Sequence, residues 1–483
     1  MSRTSLAFLV LALGACSSSD NGPLLPDGCE GGACSFCSAE VWGGKSPTAG
    51  TDVVIPAGKT VVVDCAAEAH KVTVEAGGLL FASRESSSTL TLHGNLVVYG
   101  SVDYGTPEAR IPDGVTAEII FTGMHDEDYV GTKTVWDGNE TSMSVDTPME
   151  IVDGDVGLWV MKSGKLAAAG QVKRAWSKLT ASAGPGDPTF DVDDASGWKV
   201  GDRIALTPSA PLSVESELRM TFDESTLAAV DGSSLTLAAA PAVVHDGCDD
   251  CVRRAEAANL TRNVVIRSAD ATAHAHIMVA EQGLAQLDSV ELRWLGPVRN
   301  CSAEDGFSEP ARRAPLYFHQ QRDASAESFV RHVAIWGAGQ HFIALEQSNG
   351  VEVTDVAGYD THGFGFLLFY DNTGCGTRCQ DRTKASSGTV FDHVLAAKVG
   401  VPDRTDGCLR IGHRHAGIVV SGGESSGARD SVAVGVGWDG DGDDIAGFQW
   451  AEGGSGRPAD FTFSGNVSHD NVGHGALIWT NNE

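Results

Sequence analysis

Residues 315–372 read PLYFHQQRDASAESFVRHVAIWGAGQHFIALEQSNGVEVTDVAGYDTHGFGFLLFYDN. Short β-branched and aromatic runs (FVRHVAIW, FIALEQ, VEVTDV, FGFLLFY) are separated by a few residues rich in Gly, Asn, Asp and Ser, and no helical period runs through them. The spacing predicts short strands joined by tight turns. The pattern returns: residues 353–372 align with FSGNVSHDNVGHGALIWTNN at 463–482, placing Asp360 with Asp470, Gly363 with Gly473, Gly365 with Gly475 and Phe369 with Trp479. A strand-and-turn unit that cannot bury its apolar face alone, but can when stacked on copies of itself, predicts a β-solenoid.

Working outward, 58 glycines among 483 residues suit many tight turns, and 42% hydrophobic residues suffice for a large core. The formal charge of 34 − 64 = −30 argues against a nucleic-acid or anionic-membrane binder, since both would be repelled within a Debye length of about 10 Å. Solubility accounts for such acidity, with Ca²⁺ binding as the sharper alternative.

The N-terminal MSRTSLAFLVLALGAC has Arg3, an apolar run from Leu6 to Leu13, and Leu13-Gly14-Ala15-Cys16. The run is too short to span a bilayer and reads as an export signal. Its end resembles a bacterial lipobox, which makes Cys16 a lipidated anchor, and SSSDNGPLLPDG after it is a polar tether. The expected location is therefore the bacterial outer membrane or cell surface. The other ten cysteines, at 29, 34, 37, 65, 248, 251, 301, 375, 379 and 408, are expected in disulfides, an even count outside the cytoplasm. A four-cysteine zinc site at Cys29, Cys34, Cys37 and Cys65 and a redox or metal C-x-x-C at Cys248 and Cys251 are the alternatives.

From Val41 to Gly105 strands are predicted at Val53–Ile55, Thr60–Val63, Lys71–Val74, Thr89–Leu92 and Leu96–Tyr99, punctuated by Pro56-Ala57-Gly58, Gly77-Gly78, Gly94 and Gly100. Trp42, Pro47, Gly50, Val53, Ile55, Pro56 and Gly58 resemble the pattern of the extracellular eight-glycine domain. Further on, DASGWKVGDRIAL (Gly197, Trp198, Gly201, Asp202), AEAANLTRNVVIRS, AHIMV (His276), VELRWLG (Glu291) and NGVEVTDVAGYDTHGFGF follow in the order seen in the cell-migration-inducing and transmembrane hyaluronidases, relatives of fibrocystin. The resemblance covers roughly 41–410. It implies an all-β fold, an eight-glycine β domain followed by a right-handed parallel β-helix, and an activity of hyaluronan binding and depolymerisation, with calcium needed in some members.

The chain departs from that family at three histidines. Pro315-Leu316-Tyr317-Phe318-His319 stands for P-[IV]-H-F-H, Glu346 replaces the histidine before the G-x-N-G turn, and Phe364 replaces that of G-H-x-F-F. His319 or Tyr317 is the candidate acid or base, with Glu346 or Asp360 as its carboxylate partner. Residues 251–332 balance ten arginines with ten acids, and Arg312 and Arg313 beside His319 suit uronic-acid carboxylates. Trp294 and Trp336, like Tyr317, offer stacking faces for sugars. Beside this stands a plainer reading, in which the aromatics are core ladder residues and the arginines pair with nearby acids.

Asp439, Asp441 and Asp443 alternate with glycine as Ca²⁺ ligands would, although neither the glycine at position six nor the glutamate at position twelve of an EF-hand is present. His413 and His415 fall on one strand face, as surface residues or a metal pair. The organisation expected is a signal peptide at 1–15, lipidated cysteine and tether at 16–40, eight-glycine domain at 41–165, connecting β region at 166–260 and β-helix at 261–483. The function expected is binding of extracellular polysaccharide by a lipid-anchored protein, ahead of a polysaccharide depolymerase (glycosidase or lyase) and of a non-enzymatic adhesin with a protein partner.

Overall fold

The computed structural model describes residues 22–29, 31–123, 133–136, 142–145, 151–209, 221–272, 275–297, 313–369, 386–400, 414–420, 423–438, 444–450 and 461–478. Among them the only helical turns are two short 3-10 segments, Ala39–Trp42 and Asp323–Glu327. The remainder is strand and turn, and the molecule is an all-β parallel β-helix.

One coil shows how. Leu316–Arg322, Phe329–Arg331 and Ala334–Ala338 are followed by Ile343–Ser348, Glu352–His362 and Phe366–Phe369. Each strand pairs in parallel with its counterpart one turn later, so like residues stack: Leu316 on Ile343, Ile343 on Phe366, Phe366 on Ile418, Ile418 on Phe448. These side chains point inward and are buried, with Phe318, Leu345 and Leu368 beside them. Because strand side chains alternate, Tyr317, His319 and Glu346 are left on the outer face. Among the described residues the strands gather into one parallel sheet of eleven and a second of nineteen that bends at a corner.

The corners are made by residues in the left-handed region, stacked turn on turn. Ser289, His332, Asp355, His393, Asp430 and Gly465 form one ladder, with φ of 59°, 55°, 53°, 52°, 49° and 67°. Trp294, Gly337, Asp360, Lys398, Gly435 and Asp470 form another, with φ between 49° and 66°. A non-glycine residue in this region costs about 1–3 kcal/mol and persists only where its surroundings over-determine it. Here the parallel ladders on either side do so. Asp360 and Asp470, matched by the sequence repeat, hold the same corner three turns apart. Gly365 likewise stacks on Gly417, Gly447 and Gly475: a Cβ at Gly365 would lie 2.2 Å from the Gly417 carbonyl oxygen, and one at Gly447 2.8 Å from that of Gly475.

The strands expected near the N-terminus form as Asp52–Ile55, Thr60–Val63, Lys71–Val74, Ser88–Leu92 and Leu96–Val98. They belong to the same solenoid: Val72 stacks on Leu96, Leu96 on Leu158, and Leu158 on Ile277. Between two turns the chain leaves to build a closed barrel of six strands, Trp176–Ala181, Thr189–Val192, Arg203–Leu206, Asp223–Asp231, Ser234–Leu237 and Glu256–Asn259. The barrel has its own core, with Leu179, Phe190, Trp198, Ile204 and Leu235 within it. Its outer residues Trp176, Ala205, Ala258 and Leu260 pack on Trp336, Ala357, Tyr359, Leu395 and Val434 of the solenoid.

Among the described residues three disulfides are formed, Cys29–Cys34, Cys37–Cys65 and Cys248–Cys251. The thiols weighed for a zinc site are thus taken up as pairs. Cys301, Cys375, Cys379 and Cys408 lie outside the described residues.

Candidate functional site

Parallel register brings three of the candidate residues together on the outer face of the eleven-stranded sheet. His319 stands directly opposite Glu346 in the next turn, and Tyr317 opposite Ala344. The small Ala344 leaves room for the phenol to lean across to Glu346. Tyr317 donates its hydroxyl hydrogen bond to Glu346 Oε2, and His319 Nδ1 lies 2.8 Å from the same oxygen. The two rings are roughly parallel, with centroids 5.9 Å apart. Glu346 and Tyr317 are buried, whereas the His319 side chain keeps 13% of its surface. His319 Nε2 has no hydrogen-bond partner among the described residues. Immediately beyond the pair, Gln320 (φ 50°) and Gln347 (φ 45°) turn the chain, as Lys162 and Glu281 do in earlier coils, so the site sits at the rim of this face.

A buried carboxylate that accepts from Nδ1 fixes the imidazole tautomer and leaves Nε2 as the acceptor, the arrangement by which a histidine serves as a general base. Beside it on the same face runs a buried apolar row, in which Trp159 stacks on Met278, Met278 on Tyr317, and Tyr317 on Ala344.

One position further along this face lies a second polar group. Arg313 grips Asp155 with both Nε (3.0 and 2.9 Å) and Nη2 (2.6 Å), and its guanidinium lies 5.1 Å from the Trp159 ring centroid. His276 packs edge-on against Trp159 at 4.8 Å, and its Nδ1 is 3.5 Å from Asp155. Burial, reinforced by the Arg313 charge, holds the His276 pKa well below the ordinary histidine value, so this ring is neutral. Asn95 accepts hydrogen bonds from Gly157 N and Trp159 Nε1, completing the group. Arg313, considered above as a glycan contact, is buried in this structural pair.

The structure places the other candidates apart. Asp360 holds a corner of the second sheet and accepts from Lys398 Nζ at 3.0 Å. Trp336 is wedged under the barrel, donating from Nε1 to Glu291, with Arg203 4.7 Å and Arg293 5.2 Å from its ring centroid. Trp294 meets Trp336 edge-to-face at 5.7 Å. Cys16, Arg312, Asp439, Asp441 and Asp443 lie outside the described residues, as does His413.

Two features were not anticipated from the sequence. At the seam between barrel and solenoid a groove of about 220 Å³ is lined by Arg174, Trp176, Lys178, Asp193, Arg254 and His393. Much of its charge is paired across its own walls, Arg254 with Asp193 at 2.6 Å and His393 with Asp355 at 2.9 Å. Nearby, His469 is enclosed by Asp470 (2.8 Å) and both oxygens of Glu256 (3.2 Å), clasping the barrel to a late turn of the solenoid. A separation of 213 positions left no local pattern by which Glu256 and His469 could be connected.

Comparison with known proteins agrees with this layout. Residues 41–180 match the G8 domain, and residues 272–373 match the CEMIP beta-helix. A G8 domain-containing protein of Dictyostelium discoideum is 25% identical over 333 residues, 67% of this chain and 26% of that protein. Human cell surface hyaluronidase CEMIP2 is 25% identical over 261 residues, 46% of this chain and 18% of the human protein. The chain thus spans about a quarter of the length of the Dictyostelium relative. Among solved structures, the tailspike gp61 of Pseudomonas phage phi297 is 9% identical, with a TM-score of 0.19, covering 83% of this chain and 55% of the tailspike. The Gp54 tailspike of Acinetobacter baumannii bacteriophage AP22, solved in complex with a capsular saccharide, is 8% identical with a TM-score of 0.18, covering 83% and 53%. The chain is therefore similar to the G8 domain in its first part and to the CEMIP beta-helix after the barrel, with both stretches wound into one solenoid.

Proposed function

We propose that this is a lipid-anchored cell-surface protein that holds an extracellular polysaccharide at the rim of the eleven-stranded sheet where His319 reaches the surface, and cleaves it, with His319 as the acid–base residue. The observation that carries the reading is the unshared Nε2 of an imidazole that keeps 13% of its surface and whose Nδ1 faces buried Glu346. Tyr317 and His319 converge on one oxygen of Glu346 beside that nitrogen, and for that reason cleavage is placed ahead of retention without chemistry. Similarity to a cell surface hyaluronidase over nearly half of the chain supports polysaccharide as the substrate class. Arg313 is committed to Asp155, so it anchors the strand that carries His319 and does not contact the sugar.

Anchoring through Cys16 and Ca²⁺ binding at Asp439, Asp441 and Asp443 complete the proposal. Cys16→Ala is expected to release the protein from the membrane fraction. Added Ca²⁺ is expected to raise the melting temperature of the wild type but not of Asp441→Asn. The cleavage claim is tested by incubating the purified protein with a panel of uronic-acid and neutral polysaccharides and following both retention and chain length. Shortening of at least one polymer is expected. Retention without shortening on any of them would reduce the protein to a binding module.

A further inference from the structure

At the seam the barrel lays alternate residues of one segment, Arg174, Trp176 and Lys178, against one corner ladder of the solenoid, in which Asp355, His393, Asp430 and Gly465 follow turn by turn. The first two contacts are closed. Arg174 lies 3.6 Å from Asp355 and 2.8 Å from His393 Nε2, and the Trp176 ring stacks on that of His393 with centroids 4.1 Å apart. The third contact is open. Lys178 is on the same side of its strand as Trp176, and Asp430 is the ladder residue after His393, but neither side chain has a hydrogen bond or ion pair among the described residues. Both line the groove of about 220 Å³ at this seam. The other charges there are satisfied: Arg254 closes on Asp193 at 2.6 Å, Asp194 accepts from Ser196 N and lies 3.8 Å from Arg174, and Arg429, beside Asp430, turns to Asp392. The ladder itself places the Asp430 carboxylate, which leans over Gly465 where a Cβ would collide with its Oδ1.

We propose that this groove binds a small zwitterion, a molecule with one carboxylate and one ammonium group, such as an amino acid. Lys178 takes the carboxylate and Asp430 the ammonium, each in a charge-assisted hydrogen bond. A lone anion would face Asp430, and a lone cation would face Lys178. A neutral sugar would strip water from both charges without replacing their ion pairs. The groove is smaller than the about 300–1,000 Å³ of sites for drug-sized ligands, so its ligand is a single small unit. One contact comes from the barrel and the other from the solenoid. The bound molecule therefore bridges the two, and its binding stabilises the folded chain.

The test uses the full chain and amino acids of increasing length between the charges, glycine, β-alanine, γ-aminobutyrate and ε-aminocaproate, with acetate, ethylammonium and glucose as controls. Binding is followed by calorimetry and by the melting temperature. At least one of the four amino acids is expected to bind and to raise the melting temperature, while the controls at the same concentration do neither. Lys178→Met and Asp430→Asn are each expected to weaken that binding about tenfold, the loss of one charged hydrogen bond. Asparagine tolerates the left-handed corner, so the second variant tests the charge and not the backbone. Binding that survives both variants unchanged, or a control that binds as tightly as the best amino acid, would overturn the proposal. So would failure of all four amino acids to bind.

Discussion

Two histidines of this molecule, His319 and His469, each lie against a buried glutamate, and they differ in one nitrogen. His319 has Nδ1 on Glu346 and Nε2 left over at the rim of a sheet. His469 has Nδ1 on Asp470 and Nε2 shared between both oxygens of Glu256, whose carboxylate also accepts from Thr207 at 2.6 Å, while Arg253 closes on Asp470 at 3.1 Å. Burial opposes the charge on His469, but the Glu256 and Asp470 carboxylates outweigh it and hold its pKa at about 9. One pair has a valence to spend on a substrate, and the other spends both on holding barrel to solenoid. A histidine–carboxylate pair is therefore a candidate site only where a nitrogen remains.

The contrast is broken most sharply by removing the glutamates one at a time. Glu256→Ala leaves a buried charged imidazole with one carboxylate instead of two, and breaking such a pair costs about 3–5 kcal/mol. Denaturant unfolding is expected to show that loss, with polysaccharide cleavage per folded molecule unchanged. Glu346→Ala is expected to do the reverse in activity, abolishing most cleavage. If Glu256→Ala instead spared stability, the clasp would be ornamental.

The pH dependence of stability sharpens the same contrast. The folded pKa of His469 is raised from 6.5 to about 9, so its contribution is fully present below pH 6.5 and disappears as the pH rises through 9. A shift of 9 − 6.5 = 2.5 at about 1.4 kcal/mol per unit gives about 3–4 kcal/mol lost across that window. His469→Gln is expected to flatten the profile there. A wild-type profile already flat between these values would contradict the assignment.

The smallest effect expected is that of Tyr317→Phe. It removes one hydrogen bond to the Glu346 carboxylate, worth about 1.5 kcal/mol, without emptying the packed site. A fall of about tenfold in kcat with KM unchanged would mark Tyr317 as a positioning residue. An equal rise in KM would mean that the phenol contacts the sugar.

Much of the fold was legible in the chain because turn chemistry repeats with the coil. Asp360 and Asp470, and Gly365 and Gly475, were matched by spacing alone and do occupy equivalent corners and glycine stacks. The pairing of His319 with Glu346 needed one further fact, the register between adjacent turns, which parallel stacking supplies across 27 positions. What could not be read was the occupancy of the outer faces. Strand alternation shows that Trp336 points outward but not that a barrel folds back over it. The arginine-rich composition shows charge, but not that Arg313 finds Asp155 158 positions earlier. These partners are set by where an inserted domain and a distant coil come to rest, and no local pattern records it.

The most direct test compares wild type and His319→Ala on a polysaccharide that the wild type shortens, measuring retention and chain length in the same sample. Retention is expected to persist while cleavage falls by about 10²–10⁴, because acid–base help acts in the transition state and adds little to ground-state binding. Cleavage by His319→Ala at the wild-type rate would contradict the assignment of this histidine and, with it, the account of the site.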